Sequence, residues 1–259
     1  MKKYFGFTLA EVLITLGIIG VVAALTIPGL VKHFQNIVYA NQLKQMYSIL
    51  TQAFKAVLAD NDSDVLLQSE LWSGMKAGGC GITNAKSADC KEFFGTLNKY
   101  VKVSVIGRLP SYNVYSMDKT TKFFEPSTNR YQFLSLANGS LIFKYNFFKN
   151  GATMRDQISP GECHAIKKQG GSMCNYVAYF YVDVNGFKGP NVAGRDVFGF
   201  YLSNEGILYP DGGKDVALFQ YWDPLNRNPN YWKNYKFSPS KVEFNYTGRV
   251  MEEGWKITY

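Results

Sequence analysis

The sequence predicts an α+β protein in which a long N-terminal helix packs on an antiparallel β-sheet. The helix is indicated by residues 7–58, where an apolar run is followed by apolar residues at three- and four-residue steps, the spacing of one helix face. The sheet is indicated by β-rich runs after residue 100 that alternate with turn residues such as Asn-Gly, which is typical of hairpins. With 259 residues, 46% of them hydrophobic, the chain can bury a sizeable core.

The first part of the predicted helix is long enough to cross a membrane. Phe7 to Ile27 comprises 21 residues without a Lys or Arg. At about 1.5 Å per residue, a helix of that length measures roughly 30 Å, the thickness of the hydrocarbon core of a bilayer. Because Lys2 and Lys3 precede this run, the positive-inside bias keeps the N-terminus in the cytoplasm and exports the chain beyond Pro28.

Glu11 lies inside this apolar run. An unpaired carboxylate in hydrocarbon is costly, so we expect Glu11 to have a positive partner.

An ordinary secretory signal has an apolar region of roughly 7–15 residues and then a small-residue cleavage site, which Ala23-Ala24 matches poorly. A plain single-pass anchor with an incidental glutamate is the other alternative.

The segment Gly6-Phe7-Thr8-Leu9-Ala10-Glu11 resembles the class III signal of type IV prepilins and type II secretion pseudopilins. The resemblance implies that a prepilin peptidase cuts between Gly6 and Phe7 and methylates the new N-terminus at Phe7. It further implies that Glu11 meets the N-terminal amine of a neighbouring subunit in a filament. Pro28 stands where many members carry a helix-kinking proline, and Gly17 and Gly20 would form a close-packing face.

The same resemblance implies a pilin-like fold: a helix with an apolar transmembrane half and an amphipathic half, packed on an antiparallel meander with disulfide-bonded loops. Residues 1–6 would be a leader peptide and 7–27 the transmembrane and filament-core helix. Residues 28–259 would be the exported head, including the amphipathic half of the helix. The subunit would sit in the bacterial inner membrane, single-pass with its N-terminus inside and C-terminus outside, before entering a pilus or pseudopilus.

The expected partners are prepilin peptidase, other pilin or pseudopilin subunits and an inner-membrane assembly platform. No specific nucleic acid is expected, because the net charge of +8 is carried by scattered residues rather than by a basic run.

Beyond Pro28 the helix is expected to be amphipathic and to end near Leu58, before the turn-forming cluster Asp60 to Asp64. Two short β-rich runs, 241–246 and 255–259, are expected to close an edge of the sheet. The other expected strands are 131–136, 141–148, 176–184, 197–202 and 207–209, with one more around Val101 to Val105.

Four cysteines in an exported body predict disulfides. Three pairings are possible, and we favour Cys80 with Cys90 and Cys163 with Cys174 because each pair encloses a short, glycine-containing loop. Each closure would contribute roughly 2–3 kcal/mol. A zinc site formed by these cysteines with His164 is the alternative, although Cys-x-x-Cys spacing is missing.

A calcium site is a weaker expectation, with Asp183, Asn185 and Asp196 as candidate ligands. These residues lie in a turn-rich stretch and would offer oxygen ligands from a loop, as in some major pseudopilins. The complete Asp-x-Asn-x-Asp-Gly pattern is missing. A hairpin turn held by Asx side-chain hydrogen bonds is the alternative, and no cofactor is otherwise expected.

The predicted function is a prepilin-like subunit of a type IV pilus or a type II secretion pseudopilus. Lipase-like, zinc-protease and phosphate-loop motifs are missing from the sequence, so an enzyme is not expected. The alternative is a pilin-shaft-anchored adhesin or DNA-uptake protein, in which the aromatic segment Tyr221 to Phe237 would be exposed to ligand. A membrane-anchored exported enzyme is a third possibility.

Overall fold

The computed structural model of the protein describes residues 8–73, 80–81, 88–108, 112–123, 132–153, 175–213 and 237–259. Its first element is helix α1, Leu9–Asp60, with 52 residues. The helix continues through Pro28, although proline lacks the N–H that would complete the helical hydrogen bonds there. It ends where the turn-forming cluster begins, and the Asn61 side chain donates to the Val57 carbonyl at 2.7 Å. The long predicted helix is therefore confirmed.

The head covers only the outer half of α1. From Thr8 to Gln35 all residues are exposed except Ala23, which is half-buried. Beyond this point, side chains at three- and four-residue steps turn one face of the helix into the core. The buried residues are Asn36, Tyr39, Ala40, Leu43, Met46, Leu50, Ala53, Phe54 and Val57.

Short elements after α1 close one end of the core. They are a 3-10 turn at Leu66–Gln68, helix α2 at Glu70–Ser73 and helix α3 at Ala88–Leu97. Trp72 is fully buried between α1 and α3. Its ring centroid lies 6.4 Å from that of Phe54 and 5.5 Å from that of Phe93. These rings fill the space between the helices.

The main sheet has seven strands among the described residues, and all their pairings are antiparallel. The order is β2-β5-β6-β7-β8-β9, and β1 also pairs with β6. A small two-stranded sheet pairs β3 with β4. The strands are β1 Cys80–Gly81, β2 Val103–Arg108, β3 Val114–Tyr115, β4 Lys122–Phe123, β5 Gln132–Leu136, β6 Leu141–Thr153, β7 Asn175–Asp183, β8 Val197–Ser203 and β9 Leu208–Pro210.

The predicted hairpins are confirmed. β5 and β6 meet across Asn138-Gly139, where Gly139 has a φ of 87°. β8 and β9 meet across a turn containing Gly206, with a φ of 73°. These left-handed conformations favour glycine. The expected strand around Val101 begins two residues later, at Val103, and pairs with β5.

Two predicted edge strands are wrong. Most of 241–246 has no regular structure, and Tyr246 begins helix α4, Tyr246–Glu252; residues 255–259 pair with no strand of the described sheet. The Thr247 hydroxyl donates to the Phe244 carbonyl at 2.7 Å, and the Gly248 amide donates to the Asp211 carbonyl at 2.8 Å. Both hydrogen bonds favour a helical turn over the end of the sheet. β-forming residues prefer half-buried surfaces. The side chains of these two segments obtain such a surface by packing against the sheet, without pairing of their backbone with a strand.

Both faces of the sheet carry a core. The larger core lies between α1 and the sheet. The smaller one lies on the opposite face, where residues from the loops and from the segment before α4 cover the strands. Its buried members are Tyr112, Val114, Phe133, Leu141, Phe143, Ala193, Val197 and Phe244. The head is therefore packed on both sides of its sheet, whereas α1 is covered on one side only.

Alanine substitutions at two glycines test how the turns pack. Gly139 and Gly186 have φ values of 87° and 74°, a region that costs other residues roughly 1–2 kcal/mol. At Gly139 an added Cβ meets no atom within 4 Å, whereas at Gly186 it would overlap the Gly139 carbonyl oxygen. We expect Gly139→Ala to lower the free energy of unfolding by about 1 kcal/mol and Gly186→Ala by about 3 kcal/mol. Urea unfolding of the detergent-solubilised full chain measures both, and equal losses would contradict the close approach of the two turns.

Candidate functional site

The N-terminus of α1 is closed by a capping box. The Glu11 amide donates to the Thr8 hydroxyl at 3.3 Å. In return, the Thr8 amide and hydroxyl donate to Glu11 Oε2 at 2.8 and 2.7 Å. Glu11 thus has hydrogen-bond partners within its own chain, which the sequence analysis missed although Thr-x-x-Glu is the signature of this motif. Two hydrogen bonds orient the carboxylate, but they do not neutralise its charge.

A long stretch of apolar surface follows the capping box. Large apolar side chains are exposed along α1 from Leu9 to Val38. This stretch of 30 residues measures about 45 Å at ~1.5 Å per residue, whereas the hydrocarbon core of a bilayer is only about 30 Å thick. Phe34 and Val38 are still 58% and 50% exposed. The apolar surface therefore extends beyond the segment that a membrane would cover.

The exposed apolar side chains beyond Pro28 point away from the head. Leu30, Phe34 and Val38 are exposed, while Asn36 and Ala40 on the same turns are buried. Since residues three and four apart share one helix face, the exposed residues form a stripe roughly opposite the head.

Gly17 and Gly20 lie on the inner half of α1. An added Cβ at either position would meet no atom within 4 Å. Another helix could therefore approach the backbone closely at both glycines.

Two buried carboxylates lie where β7 ends and β8 begins. Asp183 accepts the Tyr112 hydroxyl and the Asn185 amide, the latter at 3.0 Å. Asp196 accepts the Asn191 and Val192 amides at 2.8 and 2.6 Å. The structure thus brings Asp183, Asn185 and Asp196 into one turn region, as the sequence predicted, with the carboxylates bracing the backbone.

Burial changes the pKa of both carboxyl groups. It raises the pKa of Asp196 to about 6, against the opposing effect of the two backbone hydrogen bonds. The pKa of Asp183 is raised well above its usual value by burial and then by the charge of Asp196. The pair therefore holds a proton more readily in the folded protein than in the unfolded chain.

The arrangement suits a braced turn better than a calcium cage. The oxygens of Asp183 and Asp196 already accept protein donors, and the Asn185 side-chain amide donates to the Gly189 carbonyl at 3.2 Å. These hydrogen bonds to nearby backbone are those of the Asx-turn alternative. Asn185 Oδ1 and Asn191 Oδ1 have no hydrogen-bond partner among the described residues, and the calcium site stays a prediction.

Of the two predicted disulfides, one lies outside the described residues. Cys80 lies in β1 and Cys90 in α3, and these two elements contact each other. Cys163, Cys174 and the zinc candidate His164 lie outside the described ranges. The pairing of Cys80 with Cys90 and of Cys163 with Cys174 stays a prediction.

The aromatic segment of the alternative function is described only at its last residue. The ring of Phe237 stacks on that of Tyr246 with centroids 4.2 Å apart. The Arg249 guanidinium lies 5.4 Å from the centroid of the Phe237 ring. Phe237 is therefore packed within the head. Residues 221–236 lie outside the described ranges, so exposure of their rings stays a prediction.

The raised pKa of Asp196 predicts a pH dependence of stability. Because burial raises the folded pKa of Asp196 to about 6, above the usual aspartate value of about 3.9, the head should lose stability as pH rises between these two values, by roughly 1–3 kcal/mol. Asp196→Asn should reduce this slope and leave the part that Asp183 contributes, whereas Asp64→Asn, at an exposed position after α1, should leave the slope unchanged. Urea midpoints of the full chain between pH 4.5 and 7.5 measure the effect. Stability that increases with pH over this range would contradict the buried-carboxyl explanation.

Comparison with known families identifies the N-terminus of the chain. Residues 1–27 match the family model of the prokaryotic N-terminal methylation motif. No curated protein and no solved structure matches the chain. The matched region contains Gly6, Phe7 and Glu11, and α1 is long and apolar enough to cross a membrane. The chain therefore carries the class III signal of type IV prepilins and pseudopilins, and its N-terminal helix fits anchoring in the inner membrane.

Proposed function

We propose that the protein is a prepilin-like subunit that is processed after Gly6 and assembled, through packing of its N-terminal helix, into a type IV pilus or a type II secretion pseudopilus. One observation carries the proposal: α1 exposes large apolar side chains from Leu9 to Val38, and the head covers the helix only from Asn36 outward. Its role is structural rather than catalytic.

The apolar surface explains why such a helix needs copies of itself. Removing a large apolar side chain from water gains roughly 1.5–3 kcal/mol. Lipid can cover the inner residues, but Phe34 and Val38 lie beyond a bilayer core that ends near Ile27. Packing against the helices of other copies covers both parts, and keeps them covered when the subunit leaves the membrane.

Close packing also needs a place where helix backbones can approach. Gly17 and Gly20 lie one turn apart on α1 with open space around them. Small residues in a helix interface allow van der Waals contact between neighbouring helices in lipid, where the hydrophobic effect gives no help. These glycines support helix-to-helix assembly of the proposed subunit.

Glu11 supplies the electrostatic part of the proposed assembly. Both hydrogen bonds from Thr8 end on Oε2, which leaves Oε1 for an incoming donor. Cleavage after Gly6 would create a positively charged amine at Phe7. The amine of a neighbouring copy could then pair with Glu11. The Glu11 carboxylate, which packing of the helices would bury, would gain a counter-charge only in the assembled filament.

Two substitutions at Glu11 separate charge from helix capping. Glutamine at this position keeps an acceptor for Thr8 but removes the negative charge. We expect Glu11→Gln and Glu11→Ala to insert into the membrane and fold normally while reducing filament yield at least about tenfold, because pairing with the amine is lost in both. Thr8→Val removes the capping hydroxyl, keeps the charge and should retain most of the assembly.

The measurement is the sheared-filament fraction from cells that make equal amounts of each variant, with N-methylation of Phe7 recorded in parallel. Filaments from Glu11→Gln at the wild-type level would show that the charge of Glu11 is not needed for assembly.

Mass spectrometry of the N-terminus tests the processing step. We expect the chain from native membranes to begin at N-methylated Phe7, because the resemblance to the class III signal implies cleavage after Gly6. Gly6→Val should accumulate the uncut precursor with an unchanged head. An intact Met1 in the wild type, or a chain that begins beyond Ala24, would remove the basis of the proposal.

A further inference from the structure

A groove of about 720 Å³ lies between α1 and the C-terminal segment. It is a separate feature from the exposed apolar stripe, because it lies on the side of α1 that faces the head. The polar and aromatic residues that line it include Lys32, His33 and Asn36 from α1 and Trp255, Lys256 and Thr258 from the segment after α4. Ile37, Ala40 and Ile257 supply an apolar part of the wall.

The outer wall of the groove is anchored at several points. The Trp255 amide donates to the Val250 carbonyl at 2.8 Å, which turns the chain back after α4. The Asn36 side chain donates to the Ile257 carbonyl at 3.3 Å. The Tyr259 hydroxyl donates to the Gly194 carbonyl at 2.6 Å. These contacts join the C-terminal segment to α1 and to the turn before β8, so the groove is built into the fold.

Two lysines give the groove a positive charge. Lys32 and Lys256 line it from opposite walls, and none of its described lining residues is Asp or Glu. Glu253, which accepts the Thr258 hydroxyl at 2.7 Å, is paired with Arg249. Two cations that face one cavity attract a negatively charged ligand. The apolar wall indicates that this ligand also has an apolar part.

The groove opens at the height of the lipid head groups. Lys32 follows Ile27, the end of the apolar run, by five residues, or about 7.5 Å along a helix. The head-group layer extends roughly 5–8 Å beyond the hydrocarbon core on each side. A subunit anchored through residues 7–27 therefore presents Lys32 and His33 to the phosphates of the outer leaflet of its own membrane.

We propose that this groove binds the head group of an anionic phospholipid such as phosphatidylglycerol. The phosphate lies between Lys32 and Lys256, and the acyl chains continue along the apolar face of α1. The site rests on the proposed membrane-anchored state and goes beyond it. It holds the head against the membrane before assembly, and extraction into a filament must release the lipid.

Native mass spectrometry of the mature full-length chain tests the site. The protein is released from micelles that contain phosphatidylglycerol, phosphatidylethanolamine or phosphatidylcholine in equal amounts. We expect at least a fivefold greater bound fraction for phosphatidylglycerol than for phosphatidylcholine. The charge reversal Lys32→Glu with Lys256→Glu should abolish that preference. The matched control reverses Lys44 and Lys55, two exposed lysines farther along the same helix, and should keep it.

Several results would overturn the inference. Equal retention of the three lipids, or equal loss in the control variant, would show that the groove does not select a head group. Displacement of the lipid by millimolar inorganic phosphate would assign the lysines to a free anion. A Lys32/Lys256 variant that loses self-association but keeps lipid binding would assign the groove to a second copy of the chain. Because N-terminal processing and filament yield are measured separately, a chain that starts at Phe7 and assembles but retains no lipid removes this inference alone.

Discussion

The structure depends on a 52-residue helix of which only the outer part packs against the rest of the described chain. From Asn36 outward, α1 fills the core of the head, with Leu43, Met46 and Phe54 almost completely buried. From Leu9 to Phe34 its residues are exposed, apart from the half-buried Ala23. Apolar surface on this scale is not stable in water. The inner half therefore requires an apolar environment, first lipid and then, in the proposed filament, other helices of its kind.

The head is built to hold the outer half of α1 firmly. Its sheet is packed on both faces, with the larger core on the helix side and the smaller one behind. The turn between β7 and β8 is braced by Asp183 and Asp196, whose carboxylates accept backbone amides and the Tyr112 hydroxyl. Tyr259 and Asn36 then tie the C-terminal segment to this turn and to α1. The outer half of α1 is therefore joined to the sheet by the larger core and to the C-terminal segment by a hydrogen bond.

Glu11 combines a local role with a proposed assembly role. Its hydrogen bonds to Thr8 begin the helix and satisfy part of the carboxylate before any partner arrives. They leave its charge uncompensated, so a neighbouring amine would still gain by approaching it. The groove beside Lys32 would lie at the other end of the membrane segment. Lipid bound there would favour the anchored state, whereas helix packing would favour the filament. Release of the subunit would then depend on the balance between these two interactions.

Features that depend on neighbours along the chain could be predicted from the sequence. Apolar periodicity predicted α1, and Asn138-Gly139 and Gly206 predicted two hairpins, because helix faces and tight turns are set by residues a few positions apart. The conformation of residues 241–246 and 255–259 depended on tertiary packing, since their β-forming side chains pack on a sheet end and on α1 without strand pairing. Tertiary packing also brought Lys32 to Lys256 and Tyr112 to Asp183. These residues are far apart in the sequence, so their contacts depend on how the elements pack. Local sequence patterns do not predict that packing.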